Sequence, residues 1–251
     1  MIIFITNDDG INSPSLEVII NKFKSFGEIY GVLPERERSG GSHALTFHKP
    51  LRVYPYISKE GVKIWSSNGT PADCVLLGLY SLLPYPPSIV ISGINKGYNL
   101  GNNVIYSGTV SGAREAAING IPAISISVSP EGREKDFEIA CEFLLKIIPL
   151  VIKFIPYGVF LNINIPPLES LENVEVEFTY QGKFHYKNRV EKRLDPWLRE
   201  YYWIYGELRE NNGKGSDIEA IKNGKISITP LRWDMTDYSI LNNLKENFKI
   251  K

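Results

Sequence analysis

Short apolar runs alternate with amphipathic segments along the N-terminal part of the chain. Residues 2–5 are an unbroken apolar run, which is typical of a parallel strand buried on both faces. Apolar side chains then recur at helical spacing through residues 16–23, and Ser13 and Pro14 predict the start of this helix, with Ser13 as its N-cap. Similar patterns predict strands at 29–33, 89–91, 123–128 and 159–163, and helices at 70–83 and 110–119.

This alternation predicts an α/β fold, in which an open, mostly parallel, Rossmann-like sheet carries helices on both faces. Two strand-like runs at 51–56 and 62–66 flank turn residues and predict a hairpin inserted into the pattern. In such sheets, ligands gather outside the carboxyl ends of the strands. We therefore expect the functional site among the loops that follow the strands.

The regular alternation fades towards the C-terminus, and we divide the chain into two parts. Residues 1–165 are predicted to form an α/β catalytic core. Residues 166–251 are predicted to form a C-terminal extension that packs on the core or is exchanged between subunits. Within it, residues 184–203 are dense in charged and aromatic side chains and predict an oligomerisation arm. A closing strand at 226–228 and a terminal helix at 239–248 complete the extension.

The composition indicates a globular protein whose charges balance. Of the 251 residues, 43% are hydrophobic and 22% charged, and 28 basic residues match 28 acidic ones. A net charge of zero provides no overall field to attract a nucleic-acid polymer or an anionic membrane, so we expect neither partner. Cys74 and Cys141 lie among apolar residues, which favours a reduced, cytoplasmic protein. Neither a signal peptide nor a membrane span is expected from the apolar segments.

The motifs of several common enzyme classes do not occur in the chain. It has no Walker loop, no Gly-x-Gly-x-x-Gly after a strand and no Gly-x-Ser-x-Gly elbow, which argues against an ATPase, an NAD-dependent enzyme and an ordinary serine hydrolase. His43, His48 and His185 have neither metal-ligand spacing nor a nearby cysteine, so a zinc site is not expected. A role of His43 in proton transfer stays open.

Two adjacent carboxylates, Asp8 and Asp9, follow the first predicted strand. Because like charges repel strongly at low dielectric, such a pair needs a proton or a cation. A hard divalent ion, Mg²⁺ or Mn²⁺, is the simplest partner, since its preferred ligands are oxygens. The alternative is that both aspartates only form an Asx turn and help to cap the next helix, and the pair alone does not decide between the two.

Further polar loops follow other predicted strands. Ser39 and Gly40 lie in a loop of small residues, where backbone amides can approach an anion and the serine hydroxyl can reach a metal. Asn95, after the strand at 89–91, would face the same crevice as Asp8 and could complete an oxygen site. Taken alone, each loop is equally typical of an ordinary turn, in which Asn95 would adopt a left-handed conformation.

The segment before the helix at 110–119 offers a phosphate site. Free backbone amides and the positive end of the helix dipole can hold a phosphate there, and Ser107 and Thr109 add hydroxyl donors. Thr109 could instead serve only as an N-cap. Asp73 is explained by a capping box with Thr70, and we leave it out of the chemistry. The convergence of four polar loops at one sheet edge favours a site for a metal and a phosphate.

Five short motifs carry a more specific resemblance. They are Asn7-Asp8-Asp9-Gly10, Ser39-Gly40, Gly69-Thr70-Pro71-Ala72-Asp73, Ser92-Gly93-Ile94-Asn95 and Tyr106-Ser107-Gly108-Thr109-Val110. In order and spacing the chain resembles the SurE family, over residues 1–128 and again at 225–231. The resemblance implies a divalent-metal-dependent phosphatase that hydrolyses nucleoside 5′-monophosphates to nucleoside and phosphate. It leaves 3′-nucleotides and short polyphosphate open as further substrates.

The resemblance also implies roles for individual residues. One divalent ion per subunit, Mg²⁺ or Mn²⁺, would be bound by Asp8, Asp9, Ser39 and Asn95, of which the two aspartates would be catalytic. The phosphate would be bound or neighboured by Asn7, Gly40, Ser107, Gly108 and Thr109. Family members are dimers or tetramers with exchanged C-terminal elements, which would give the arm at 184–203 a role. Asn103 stands where the family pattern has Asp, which removes a charge near the site.

Several interpretations of this site remain open from the sequence. Either water attacks phosphorus in line with help from the metal, or Asp8 or Asp9 attacks and forms an aspartyl-phosphate. The same crevice could bind a nucleotide or sugar phosphate without turnover, as a sensor. The chain could also be a structural oligomer that uses its C-terminal arm. The base preference depends on loops whose positions the sequence does not define.

Overall fold

A nine-stranded sheet forms the centre of the computed structural model, which describes residues 1–210 and 213–248, with the backbone alone at 185–188 and 207–210. The described strands, of which β9 and β10 lie outside this sheet, are β1 (Ile2–Thr6), β2 (Glu28–Pro34), β3 (Val53–Lys59), β4 (Val62–Ser67), β5 (Ile89–Lys96), β6 (Ala123–Val128), β7 (Val159–Ile165), β8 (Val176–Phe178), β9 (Phe184–Leu194), β10 (Glu200–Glu210) and β11 (Ile226–Arg232). Their order across the sheet is β3-β4-β2-β1-β5-β6-β7-β11-β8, and all neighbours are parallel except β3 with β4 and β7 with β11. The predicted open, mostly parallel α/β sheet is confirmed.

Helices cover both faces of this sheet. They are α1 (Ser15–Phe23), α2 (Pro71–Leu77), α3 (Gly108–Ile118), α4 (Glu134–Phe154), α5 (Asp217–Lys222) and α6 (Tyr238–Asn247). Successive side chains of β1 point to opposite faces, so Ile3 and Ile5 enter the core formed with α1 and α4, whereas Phe4 enters the core formed with α2 and α3. Cys141 and Cys74, both free and buried, lie one in each core.

The beginning of α1 differs from the prediction. Ser13 does not cap the helix: Pro14 occupies the N-cap position, and no side chain forms a capping hydrogen bond there. The Ser13 hydroxyl instead pairs with that of Ser15 at 2.8 Å. The capping rule failed because the hydroxyl of Ser15, two residues further on, binds the Ser13 hydroxyl that was expected to cap the helix. The capping box of Thr70 and Asp73 at the start of α2 is confirmed.

Strand β5 is longer than predicted. It runs to Lys96 rather than ending at residue 91, so the segment expected to be a loop from Ser92 onwards begins inside the sheet. Pairing with β6 shifts register between Ser92 and Asn95. Gly93, with a φ of 137°, permits this irregularity, because a Cβ there would lie 2.4 Å from the carbonyl oxygen of Ile126. Glycine thus marks a bulge here, not the end of the strand.

The C-terminal part adds β8 and β11 to the central sheet, whereas β9 and β10 lie outside it. Strand β11 inserts between β7 and the unpredicted β8, and the short helix α5 was also not predicted. Strands β9 and β10 pair only with each other, as an antiparallel hairpin over the segment predicted to be an arm. Helix α6 has no buried residue. In the described part of the chain, no helix is long and apolar enough to cross a membrane.

Candidate active site

The turn after β1 presents Asp8 and Asp9 at the carboxyl edge of the sheet. Asn7 shapes this turn, since its Oδ1 accepts a hydrogen bond from the amide of Gly10 (2.9 Å) and its Nδ2 donates to the carbonyl of Gly10 (3.1 Å). Gly10 has a φ of 88°, a conformation that favours glycine. The turn therefore belongs to Asn7, and the alternative in which Asp8 and Asp9 only form it and cap α1 is wrong. A contact between Asn7 and phosphate stays a prediction.

Asp8 is buried against the N-terminus of α3. Only 5% of the residue is exposed, and the Thr109 hydroxyl donates to its Oδ1. Burial raises the pKa of Asp8, while hydrogen bonds from the hydroxyl and the amide of Thr109 oppose that rise. Burial and the charge of Asp8 raise the pKa of Asp9 to about 6, against a hydrogen bond from the amide of Lys96. Two carboxylates therefore share a corner in which their charges are poorly compensated.

A third carboxylate, Glu37, faces the same corner. Its negative charge adds to the rise in the pKa of both Asp8 and Asp9. Its Oε1 accepts a hydrogen bond from the Ser39 hydroxyl at 2.5 Å. This bond directs the hydroxyl proton of Ser39 towards Glu37 and leaves lone pairs of the oxygen for another partner. Glu37 was not among the residues predicted from the sequence, where its only signal was its position two residues before Ser39.

Asn95 lies at the end of β5, with a negative φ and not in a left-handed turn, so that alternative is wrong. Its Nδ2 donates to the carbonyl of Gly97 at 2.7 Å. This bond fixes the orientation of the amide and leaves Oδ1 as a candidate oxygen ligand. The neighbouring Lys96 amide reaches Asp9, which places the end of β5 beside the acidic pair.

Ser107, and not Thr109, caps α3. The Ser107 hydroxyl accepts a hydrogen bond from the amide of Val110 at 3.1 Å, so the suggestion that Thr109 is only an N-cap is wrong. Thr109 is the second residue of α3, and at this position its hydroxyl and its amide both donate hydrogen bonds to Asp8. The amide of Gly108 belongs to the same first turn, where helix amides have no partner within the helix. This end of α3 is suited to an anion.

Hydrogen bonds link the four predicted loops around the acidic pair. The amide of Arg38 donates to the carbonyl of Asp8 at 2.7 Å, which joins the second loop to the first. Ser42 joins the second loop to the segment before α3: its amide donates to the carbonyl of Tyr106 (2.9 Å) and its hydroxyl to that of Ile105 (2.7 Å). The loops expected at one sheet edge therefore do meet there.

Asp73 has a second role beyond its capping box. Its carboxylate also accepts hydrogen bonds from the amide (3.0 Å) and the hydroxyl (2.6 Å) of Thr46, and the Thr70 hydroxyl donates to the carbonyl of Ala44 at 2.7 Å. The statement that capping explains Asp73 fully is therefore wrong. The start of α2 anchors the loop that carries Ser39, because one carboxylate can accept several hydrogen bonds at once.

The described histidines do not line the acidic corner. His43 Nε2 lies 2.7 Å from Glu115 Oε2, about 9 Å further along α3 than Thr109 at the usual helical rise. The pair ties the second loop to the middle of α3. His48 is exposed, and the side chain of His185 lies outside the described residues. Asn103 lies in a 3₁₀ turn, Gly101–Ile105, just before the cap of α3.

Two glycines let α3 approach the sheet closely. A Cβ on Gly108 would lie 2.7 Å from the Cβ of Asp8, and a Cβ on Gly112 would lie 2.6 Å from the Ser92 hydroxyl and 2.9 Å from the Cγ2 of Thr6. The spacing of the two glycines, one helical turn apart, was present in the sequence but not interpreted there. It sets how near Thr109 comes to Asp8.

We expect Gly112→Ala to lower the free energy of unfolding by about 1–3 kcal/mol, because the added methyl group overpacks the interface between α3 and the sheet. The sign is diagnostic, since alanine in an open helical position would raise stability by up to about 1 kcal/mol over glycine. Urea denaturation of both proteins measures the difference. A more stable variant would show that α3 has room to accept the methyl group.

The donors around Asp8 and Asp9 fit a hard divalent ion. The corner offers two carboxylates, the Ser39 hydroxyl and the Asn95 carbonyl oxygen, all of them oxygen ligands. Burial raises the pKa of both aspartates, and the charge of Asp8 adds to the rise at Asp9; a bound cation would lower both pKa values. Among the described residues, no three His, Cys, Asp or Glu side chains are arranged to hold a metal. The fit therefore rests on the mixed oxygen set.

Comparison with known proteins adds independent information. Residues 3–188 match the family described as Survival protein SurE. A 5′-nucleotidase SurE from Moorella thermoacetica is 45% identical over 242 residues, which are 95% of this chain and 93% of the relative. Another from Desulforudis audaxviator is also 45% identical, over 98% of this chain and 97% of the relative.

The chain belongs to the SurE family. A crystal structure of the Sure protein from Aquifex aeolicus superposes with a TM-score of 0.82 and 40% identity, covering 98% of this chain and 99% of that one. The matched SurE region includes every loop of the acidic corner, from Asn7 to Thr109. The family resemblance found in the sequence motifs is therefore confirmed over nearly the whole chain.

Proposed function

We propose that this chain is a 5′-nucleotidase that hydrolyses nucleoside 5′-monophosphates to nucleoside and inorganic phosphate. The observation that carries the proposal is the placement of the buried Asp8 carboxylate directly against the N-terminus of α3, with the half-buried Asp9 beside it. A metal-binding group thereby lies beside an anion-binding group. The relatives named 5′-nucleotidase SurE, at 41–45% identity, support the same activity.

One divalent ion per subunit, Mg²⁺ or Mn²⁺, would be held by Asp8, Asp9, Ser39 and Asn95. When bound, it supplies positive charge that polarises a phosphoryl oxygen and makes a nearby water more acidic. The chain prepares this set of ligands through its own hydrogen bonds. The Ser39 hydroxyl donates a hydrogen bond to Glu37, and the Asn95 amide nitrogen donates one to the carbonyl of Gly97, so lone pairs of both ligand oxygens are left for the metal.

The phosphoryl group would lie between this corner and the first turn of α3. There the amide of Gly108 and the hydroxyl of Ser107 would stabilise the charge that develops on its oxygens. Thr109 would neighbour the phosphate, with its hydroxyl proton donated to Asp8. Gly40 would bring backbone amides to the same anion. Its φ is 70°, and no atom lies within 4 Å of the position that a Cβ would occupy. We propose attack by water, with attack by an aspartate as the rival mechanism.

Release of phosphate from a panel of nucleoside 5′-monophosphates tests this proposal. Purified full-length protein is incubated with AMP, GMP, CMP or UMP in the presence of Mg²⁺ or Mn²⁺, with 3′-AMP and short polyphosphate as comparison substrates. We expect release from the 5′-monophosphates. If the protein binds AMP but releases no phosphate with Mg²⁺ and none with Mn²⁺, the proposal is overturned and a nucleotide-binding sensor is favoured.

Metal binding should weaken in acid. The pKa of Asp9 is raised to about 6 by burial and by Asp8, and the metal requires deprotonated carboxylates. Metal binding therefore releases protons, and we expect the Kd of Mn²⁺ to rise about tenfold for each pH unit below about 6 and to level off above that value. Calorimetric titrations in buffers from about pH 5 to pH 8 measure it. A constant Kd across this range would contradict the expectation.

The same shift has a consequence for the metal-free protein. Since the pKa of Asp9 is raised from 3.8 to about 6, its contribution to stability is present below pH 3.8 and is lost as the pH rises through about 6. Asp9→Asn should remove this part of the pH dependence of unfolding. A variant with the unchanged pH profile would show that Asp9 titrates normally.

The C-terminal arm supports a further part of the proposal, that the protein is a homodimer or homotetramer. The turn between β9 and β10 and the adjoining part of β10 expose large side chains, with Trp197 75% exposed, Trp203 60% and Ile204 80%. A surface patch of this kind is typical of a protein interface. The proposed setting is the cytoplasm, as two buried, free cysteines suggest.

A further inference from the structure

A cationic side chain, Lys96, lies at the rim of the acidic corner. It directly follows Asn95 at the end of β5, and its backbone amide donates a hydrogen bond to the Asp9 carboxylate. Its ammonium is close enough to Asp9 for their charges to interact. The side chain itself is exposed, so a small ligand can reach it.

The stem of Lys96 has a defined path. It lies across Gly132 in the loop after β6, where a Cβ would be 2.8 Å from both Cγ and Cδ of the lysine. Gly132 has a φ of 57°, and its amide donates to the carbonyl of Ser129 at 3.1 Å, so the loop is a closed turn. At the far end of this loop, an ion pair joins Arg133 Nη2 to Asp136 Oδ1 at 2.7 Å. The glycine leaves the space that the lysine occupies.

The charge of Lys96 has no counter-ion among the described residues. No carboxylate oxygen there lies within 4 Å of its Nζ, although Lys22 and Lys225 form such pairs with Glu142 (3.0 Å) and Glu175 (2.8 Å). Asp8 and Asp9 lie near Lys96, but Asp9 accepts a hydrogen bond from the backbone amide of Lys96 and Asp8 accepts one from the Thr109 hydroxyl. An exposed cation in an acidic corner, without an ion pair, is free for an anionic ligand.

The charges of the corner explain why such a cation is needed. The two aspartates and a divalent ion sum to zero, and Glu37 adds a negative charge next to them. A phosphate monoester arrives as a dianion, which a neutral or negative site does not attract. The dipole of α3 offsets only part of this charge. Lys96 supplies a full positive charge on the side of the corner formed by β5.

We propose that Lys96 is a substrate-binding residue, whose ammonium donates a hydrogen bond to an oxygen of the substrate's phosphoryl group. This inference rests on the proposed function and deepens it, because it selects for the dianionic phosphate of monoesters. Phosphodiesters, with one negative charge, gain less from the contact. The loop around Gly132 leaves room for the stem of this lysine, so it supports the proposed contact.

Three variants test the proposal: Lys96→Gln removes the charge, Lys96→Arg keeps it, and Lys24→Gln removes an equally exposed charge after α1, near the opposite edge of the sheet. In Lys96→Gln we expect the KM for AMP and the Kd for inorganic phosphate each to rise about 10- to 100-fold, the range for losing a charge-assisted hydrogen bond. Lys96→Arg should stay within about threefold of the parent protein, and Lys24→Gln should not change. The Kd of Mn²⁺ should be unchanged or lower in Lys96→Gln, since a nearby positive charge is removed.

Calorimetry with inorganic phosphate on the Mn²⁺-loaded protein tests the role of Lys96 separately from the proposed hydrolysis of AMP. If the parent protein binds phosphate but releases none from AMP, the proposed function fails, and the variants still decide the role of Lys96. If the parent protein is active and Lys96→Gln keeps its phosphate Kd and KM, the role of Lys96 is overturned and the proposed function stands. Equal losses in Lys96→Gln and Lys24→Gln would also overturn it, because they would reflect overall charge.

Discussion

Asp8→Asn should reduce the release of phosphate from AMP at least about a thousandfold, which corresponds to about 4 kcal/mol of lost transition-state stabilisation. The substitution keeps the shape of the side chain and removes its charge. Asp8 is the more buried of the two aspartates and the one that contacts α3. A neutral amide in its place would weaken the proposed metal site because it removes a negatively charged ligand.

The variant should nevertheless fold. Burial raises the pKa of Asp8, so its charged form is held at a cost that an amide avoids. We expect a free energy of unfolding equal to or above that of the parent protein, together with an unchanged circular dichroism spectrum. Calorimetric binding of Mn²⁺ should be lost or weakened at least about a hundredfold, as follows when a charged ligand is removed from a metal site.

Asp234→Asn is the matched control, because Asp234 is a half-buried carboxylate in the segment after β11 that accepts hydrogen bonds from the Tyr238 hydroxyl and the Thr236 amide. It should retain full activity. If Asp8→Asn kept more than a tenth of the parent activity with its fold intact, the assignment of Asp8 to the catalytic site would fail. A structural oligomer would instead release no phosphate from AMP in either the parent protein or the variant.

Removal of divalent ions should abolish activity at least as completely. The ligand set is built from hard oxygens, and the poorly compensated charges of Asp8 and Asp9 need a cation at neutral pH. Dialysis against EDTA should lower phosphate release about a thousandfold or more, and added Mg²⁺ or Mn²⁺ should restore it. Elemental analysis of the dialysed protein shows whether the ion has left.

EDTA that is saturated with Ca²⁺ before it is added serves as the control for effects of the chelator itself. Activity that survives in protein shown to be metal-free would contradict metal dependence, and the aspartates would then have to act alone. Activity that does not return on adding metal, with a lower free energy of unfolding, would indicate that the ion also stabilises the fold.

Much of the fold could be predicted from local patterns. The buried run after Met1, the helical spacing from Leu16 to Phe23 and the capping box at Thr70 each depend on residues that are close in sequence. Periodicities of two and 3.6 residues report directly on which face a side chain occupies. These features placed the strands in a parallel sheet, and the sheet placed the polar loops at one edge.

Local patterns failed where two uses of one residue competed. Asn95 was expected in a loop because glycine and asparagine surround it, but pairing with β6 keeps it in β5. Thr109 looked like a cap, but Ser107 takes that position and releases Thr109 for Asp8. Asp73 fits its capping box and also binds Thr46, which the spacing of residues 70–73 does not reveal.

The amino-acid sequence was sufficient for the class of fold, the family and the positions of the acidic loop and of the candidate phosphate-binding loops, because these depend on order and spacing along the chain. The arrangement within the site required the folded structure. Thr109 and Asp8 are 101 residues apart and His43 and Glu115 are 72 apart, so no local pattern records their contacts. The same is true of Glu37 and Lys96, whose proposed roles depend on the charges around them. Distances between side chains are set by the packing of α3 through Gly108 and Gly112 on the sheet, and packing is a property of the whole molecule.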